Sequence, residues 1–140
     1  YRILLEKLGK EKAVEVVGNM VKVAAIQQLY ALIPQFSLDV LKSIPEEKRE
    51  PVLSRVVEKF PNSDWHVLDV EKTHLTYRIT RCRLVDLVKQ LGYPELAGVF
   101  CPGDIAYFNE YQDYIILDRP CTIGEGEDHC DFKFSLDLEM

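Results

Sequence analysis

No stretch of this chain is apolar for the roughly 18 residues that a membrane span requires. An excess of positive charge is missing too: 17 lysines and arginines stand against 23 acids, a formal net charge of −6. Nucleic-acid binding depends on a basic footprint, so that class is excluded. Four cysteines, Cys82, Cys101, Cys121 and Cys130, stand singly and form no Cys-x-x-Cys knuckle, so no structural zinc site of that pattern is expected. Repeats, low-complexity tracts and linkers are absent. The 140 residues therefore read as a single domain over 1–140, large enough to bury a core without disulfide staples. The opening Tyr1–Lys7 reads as amphipathic helix rather than a leader. Together these points predict a cytoplasmic protein with reduced thiols, no nucleic-acid partner and no membrane partner.

What is present begins with helical periodicity. Leu4, Leu5, Leu8, Val14, Val17, Val21 and Ala24/Ala25 recur at steps of three and four, with charged residues opposite. Gly9 and Gly18 are the expected breaks. A central apolar helix is predicted over Met20–Leu32, ending before Pro34. These apolar helices make a homodimer through the N-terminal segment an expectation. A third helix is predicted from Ser43, with Ser43 as cap and Pro45 in the first turn, to Phe60. The period then changes to two. Asp64–Glu71 and Thr73–Thr80 form a predicted hairpin, followed by a helix over Leu84–Leu91 closed by Gly92. A fifth helix starts near Pro102 or Gly103, and strands follow at Tyr114–Arg119 and Cys130–Leu138. The pattern is α+β: N-terminal helices packed on a small antiparallel sheet of about four strands, with further helices between the two strand pairs.

Chemistry-bearing residues concentrate in two places. Between Cys121 and Phe132 lie two cysteines, one histidine, four acids and two glycines, and Cys101-Pro-Gly-Asp104 lies upstream. Cys101 is expected at a helix N-terminus, which lowers a thiol pKa, with Asp104 on the same side of that helix. The alternative is a small buried hydrophobe and a helix-start acid. Strand parity points Cys130, Phe132 and Phe134 towards the core, and His129, Asp131 and Lys133 away from it. His129 is then a solvent-facing residue. Glu125, Glu127 and Asp128 lack EF-hand spacing and read as a solvated turn. Arg119 either holds a carboxylate or pairs with Asp118 or Glu110. His66 and His74 face solvent, and Tyr107, Tyr111 and Tyr114 are expected at the rim of the core.

The ordered set Cys101-x-x-Asp104, Phe108-Asn109, Arg119-x-x-Thr122 and Gly126-Glu-Asp-x-Cys130-Asp-Phe132 resembles the L-2-amino-thiazoline-4-carboxylic acid hydrolase family, most strongly over residues 100–138. The resemblance implies a hydrolase that opens a cyclic amidine or related C–N bond of a small carboxylate substrate. It implies Cys101, Asp104 and Cys130 as catalytic residues and Asn109, Arg119, Thr122 and Asp131 as substrate-binding residues; no cofactor and no metal ligand is expected. Cys121 lies outside the motif. The ending Gly-x-x-x-Cys-x-Phe also resembles small-molecule-sensing domains related to 4-vinyl reductase, which implies a non-catalytic binding cavity. A partner-binding module built on an exposed helix face is the third reading. A polar pocket where Cys101, Asp104 and Arg119 converge favours an enzyme, and an apolar tunnel favours a sensor.

Overall fold

A computed structural model describes residues 1–33, 38–45, 47–48, 62–71, 73–111 and 115–136. The chain starts with α1 (Arg2–Leu8), turns at Gly9 and runs on through α2 (Lys10–Leu32). Gly18 does not break α2. It lies inside the helix where a Cβ would meet the Val99 side chain at ordinary contact distance, so it lets a neighbouring segment pack close. Helix α3 covers Leu38–Ser43, so Ser43 closes one helix instead of opening the next. Most of the helix expected from there to Phe60 lies outside the described residues, as does Tyr114.

Two strands follow, β1 (Ser63–Val70) and β2 (His74–Cys82), then α4 (Arg83–Gln90). Gly92 ends α4 as expected: Tyr93 N–H donates to the Val88 carbonyl and Gly92 N–H to that of Lys89, the Schellman pattern. An unforeseen 3₁₀ helix over Pro94–Phe100 leads without a break into α5 (Cys101–Tyr111). Strand β3 (Ile115–Asp118), a short 3₁₀ turn at Ile123–Glu125 and β4 (Cys130–Leu136) complete the order. The architecture is α+β, with an antiparallel sheet in the order β1-β2-β4-β3.

Register decides which side chains meet. On β2 the alternation buries Leu75, Tyr77 and Ile79, and their partners on β4 are Phe134, Phe132 and Cys130. Tyr77 and Phe132 stack with centroids 4.8 Å apart, a cross-strand pair of the kind that stabilises sheets. One step out of phase, Arg78 pairs with Asp131 on the opposite face. The inner face packs on α5 through Tyr107 and Phe108 and on the end of α2 through Leu29 and Ile33. Tyr107 is therefore fully buried, not at the rim. A second cluster joins Val85 and Val88 of α4 to Leu96, Ala97 and Val99, against Val14, Val17 and Val21.

Helix α2 is not a central core helix. Val23 is 57% exposed, Met20 is also exposed, and only Ala13 and Leu29 of the helix are buried. Its apolar residues are divided among the Val99 cluster, the sheet core at Leu29 and the wall of an open cavity, while Met20 and Val23 are left exposed. Among the described residues, no helix is long and apolar enough to cross a membrane.

Candidate functional site

A cavity of about 290 Å³ opens between α2, the inner face of the sheet and the start of α5. Val21, Ala24, Ala25, Leu29 and Leu32 of α2 form an apolar wall. Opposite them, Cys101, Asp104, Arg119 and Cys130 share the same cavity. Residues from a helix start, a strand exit and the following strand thus converge, although Cys101 and Cys130 are 29 positions apart in the sequence.

Arg119 organises this cluster. Its side chain is 3% exposed and donates from Nη1 to Asp104 Oδ2 at 2.8 Å and to the Cys101 carbonyl at 3.1 Å. The guanidinium carbon stands 4.1 Å above the Phe132 ring, a cation–π contact in a dry setting. Neither Asp118 nor Glu110 is its partner in these contacts; Glu110 meets Lys22 instead. Burial disfavours the guanidinium's charge, but Asp104 and the two thiols more than offset that, and its pKa stays raised.

Asp104 is the exceptional acid. Burial pushes its carboxyl up to about 6, against the opposing pull of Arg119. The side chain nevertheless keeps 23% of its surface open. That combination suits a proton-transfer group near neutral pH.

Cys130 is buried as strand parity predicts, whereas the helix-terminus reading of Cys101 does not hold. The 3₁₀ helix runs straight into α5, so Cys101 does not stand at a free helix N-terminus. Burial raises its pKa, with Arg119 and the Thr122 hydroxyl opposing. Cys130 is also raised by burial, opposed by the Ile123 N–H, which donates to Sγ at 3.1 Å, and by Arg119. Two protonated thiols therefore flank an acid with a shifted pKa. Cys82, a third thiol, lines the same cavity.

Thr122 is buried and links the segments. Its Oγ1 accepts from Glu125 N–H and donates to the Glu125 carboxylate. The next residue but one is equally constrained. A Cβ at Gly124 would fall 2.7 Å from the Ala97 carbonyl and 3.0 Å from Cys101 Sγ.

Two sequence candidates lie elsewhere. Asn109 uses its amide to accept from Leu117 N–H and donate to the Leu117 carbonyl, at 2.8 and 3.0 Å; this ties α5 to β3. Asp131 lies on the outer face of the sheet, bound by both oxygens to Arg78. Neither lines this cavity, and nor does Thr122, which lines an adjoining pocket with Cys101 and Arg119. Tyr77, Gly124 and Cys82 were missed. Tyr77 is buried against Phe132, and its hydroxyl pKa is raised well above the ordinary value by burial and then by Asp104. Its period-two burial was visible in the sequence, but its proximity to Asp104 was not.

The family model for L-2-amino-thiazoline-4-carboxylic acid hydrolase matches residues 1–134. The chain belongs to this family. The match to the hydrolase family extends across the N-terminal helices, well beyond the C-terminal motifs that carried the resemblance. No protein with a curated description matches the chain. Among solved structures, a similar one is the phenol-responsive sensory domain of the transcription activator PoxR, with phenol. It is 14% identical over 95% of this chain and 69% of that one, with a TM-score of 0.49. That likeness is too distant to bear on function.

Proposed function

We propose that this family member is a hydrolase that opens the ring of a small cyclic amidine carboxylate. One observation carries the reading: a partly open, buried carboxyl with a pKa of about 6, ion-paired to a buried arginine, faces a cavity that also holds the thiols of Cys101 and Cys130. With both thiols raised, thiolate is scarce at neutral pH, which favours water as the nucleophile. Asp104 is roughly nine-tenths ionised at pH 7 and matched to general-base work.

In this scheme Asp104 removes a proton from water while the oxygen bonds to the amidine carbon. The C=N electron pair moves onto the ring nitrogen, which takes that proton. Collapse of the adduct transfers the hydroxyl proton to the same nitrogen through Asp104 and breaks the ring C–N bond, leaving an amine and a carbamoyl product. Arg119 orients Asp104 and keeps it ionised. Thr122 holds the Ile123–Glu125 turn that packs on Cys101, whose thiol and that of Cys130 border the reacting face. Substrate contacts through Asn109 or Asp131 are not part of the scheme.

The test is turnover of L-2-amino-thiazoline-4-carboxylic acid by the purified protein. Asp104→Asn is expected to lower kcat by about 10²–10⁴-fold. Cys101→Ser/Cys130→Ser should retain turnover. Loss of turnover in a folded double variant would replace water with a thiol nucleophile. A second reading, a non-catalytic small-molecule cavity, is favoured by the apolar α2 wall. Binding of small ring compounds, with no amidine opened by the wild type, would establish it.

A further inference from the structure

The outer face of the sheet carries a second cluster of chemically capable side chains. Cys121 Sγ, a His129 ring nitrogen and an Asp131 carboxylate oxygen lie within 4.8 Å of one another. Among the described residues this is the group that could hold a metal ion. It does not overlap the cavity. Cys130 and Asp131 are consecutive on β4 and point to opposite faces, so the cavity and this cluster sit back to back.

We propose that Cys121, His129 and Asp131 bind one borderline-soft divalent cation such as zinc, with water as the fourth ligand. The donor set is thiolate, imidazole and carboxylate, which zinc accepts in tetrahedral sites. His129 Nε2 and Asp131 Oδ2 are 3.7 Å apart, too far for a hydrogen bond. Bonds of about 2.0–2.1 Å place two ligands of a tetrahedral zinc roughly 3.3–3.5 Å apart, so a small closure suffices. The other ring nitrogen of His129, Nδ1, is already held by the Asp128 carboxylate. This is the carboxylate–histidine arrangement that orients metal-binding imidazoles.

Arg78 holds both Asp131 oxygens, at 2.7 and 2.8 Å. It opposes a nearby cation, yet it orients the carboxylate and leaves lone pairs on both oxygens. Binding displaces the Cys121 thiol proton to solvent. The two anionic ligands then balance the dication. The consequence is structural: the ion would clamp the segment after β3 onto β4, directly behind Thr122 and Cys130.

The experiment titrates the full chain with cobalt(II), and with zinc(II) in competition with a chromogenic chelator. Expected are one equivalent bound, a thiolate-to-cobalt charge-transfer band and a higher Tm with zinc. Cys121→Ser should abolish the band. His129→Ala should weaken binding more than about tenfold, since even outer-shell partners are worth about 10–100-fold. Asp128→Asn should weaken it about tenfold, and Cys101→Ser/Cys130→Ser should leave it unchanged. Far-UV circular dichroism verifies the fold of each variant. The proposal is overturned if the wild type binds no metal or gives no thiolate band. It is equally overturned if the band survives Cys121→Ser and disappears in the double variant, which would place the ion in the cavity.

Discussion

Asp104 and Arg119 dominate the site electrostatics, and each alone would be a liability. Replacing Arg119 with Ala leaves a carboxylate beside a buried void; removal of one partner of a buried pair typically costs about 3–5 kcal/mol, measurable by urea denaturation. The same change removes the cation that opposes the rise in Asp104's pKa. The acidic limb of kcat/KM should then move above pH 6, whereas Arg119→Lys should move it less. For stability the sign is set by the raised folded-state pKa. Asp104's contribution is fully present below its ordinary value of 3.8 and is lost as pH rises through about 6. The folded state binds more protons in that window, so stability falls with pH. Subtracting the Asp104→Asn profile from that of the wild type should expose this slope between about pH 4 and 6. A flat difference would show that burial does not shift this carboxyl.

Close approach of whole segments depends on two glycines. Gly103, in the first turn of α5, faces α2: an added Cβ would fall 2.5 Å from Ala25 Cβ. Gly103→Ala should cost about 1–3 kcal/mol through overpacking. Ala25→Gly should restore much of that in the double variant, a coupling that denaturation of the four-member cycle measures. At Gly124 the nearest atom is the Ala97 carbonyl oxygen, which no side-chain substitution can trim. Gly124→Ala should also cost about 1–3 kcal/mol. It should additionally slow alkylation of Cys101, the thiol its Cβ would press on; stability loss with unchanged reactivity would uncouple this turn from the site.

The molecule as a whole encloses a cavity that is apolar on its α2 side and charged at its floor. Ala24 lines that cavity from an exposed position on α2. Ala24→Phe should therefore fill space without opening the core: KM for a cavity ligand should rise, with stability within about 0.5 kcal/mol of wild type. Unchanged KM would direct substrate elsewhere.

Local pattern was sufficient for much of this fold. Alternation at Leu75, Tyr77 and Ile79 marked β2 because a strand's side chains have a period of two, and Gly92 marked the end of α4 through its turn chemistry. The same parity divided Cys130 from His129 and Asp131, and the motif order identified the family. The position of α2 was not legible, because an apolar circumference looks the same whether it faces core or cavity. Pro94–Phe100 was missed as a 3₁₀ helix, and with it the loss of a free helix N-terminus at Cys101. Pairing decided the rest. Antiparallel register set Phe132 beneath Arg119 and Asp131 against Arg78, and the turn at Gly124 brought Thr122 to Cys101. Contacts between distant residues follow from how elements pack, and a pKa follows from the dielectric and charges that packing creates. Residue types and periodicities are local properties and can be read along the chain; the meeting of Asp104 with Arg119, and of Cys121 with His129 and Asp131, exists only once it has folded.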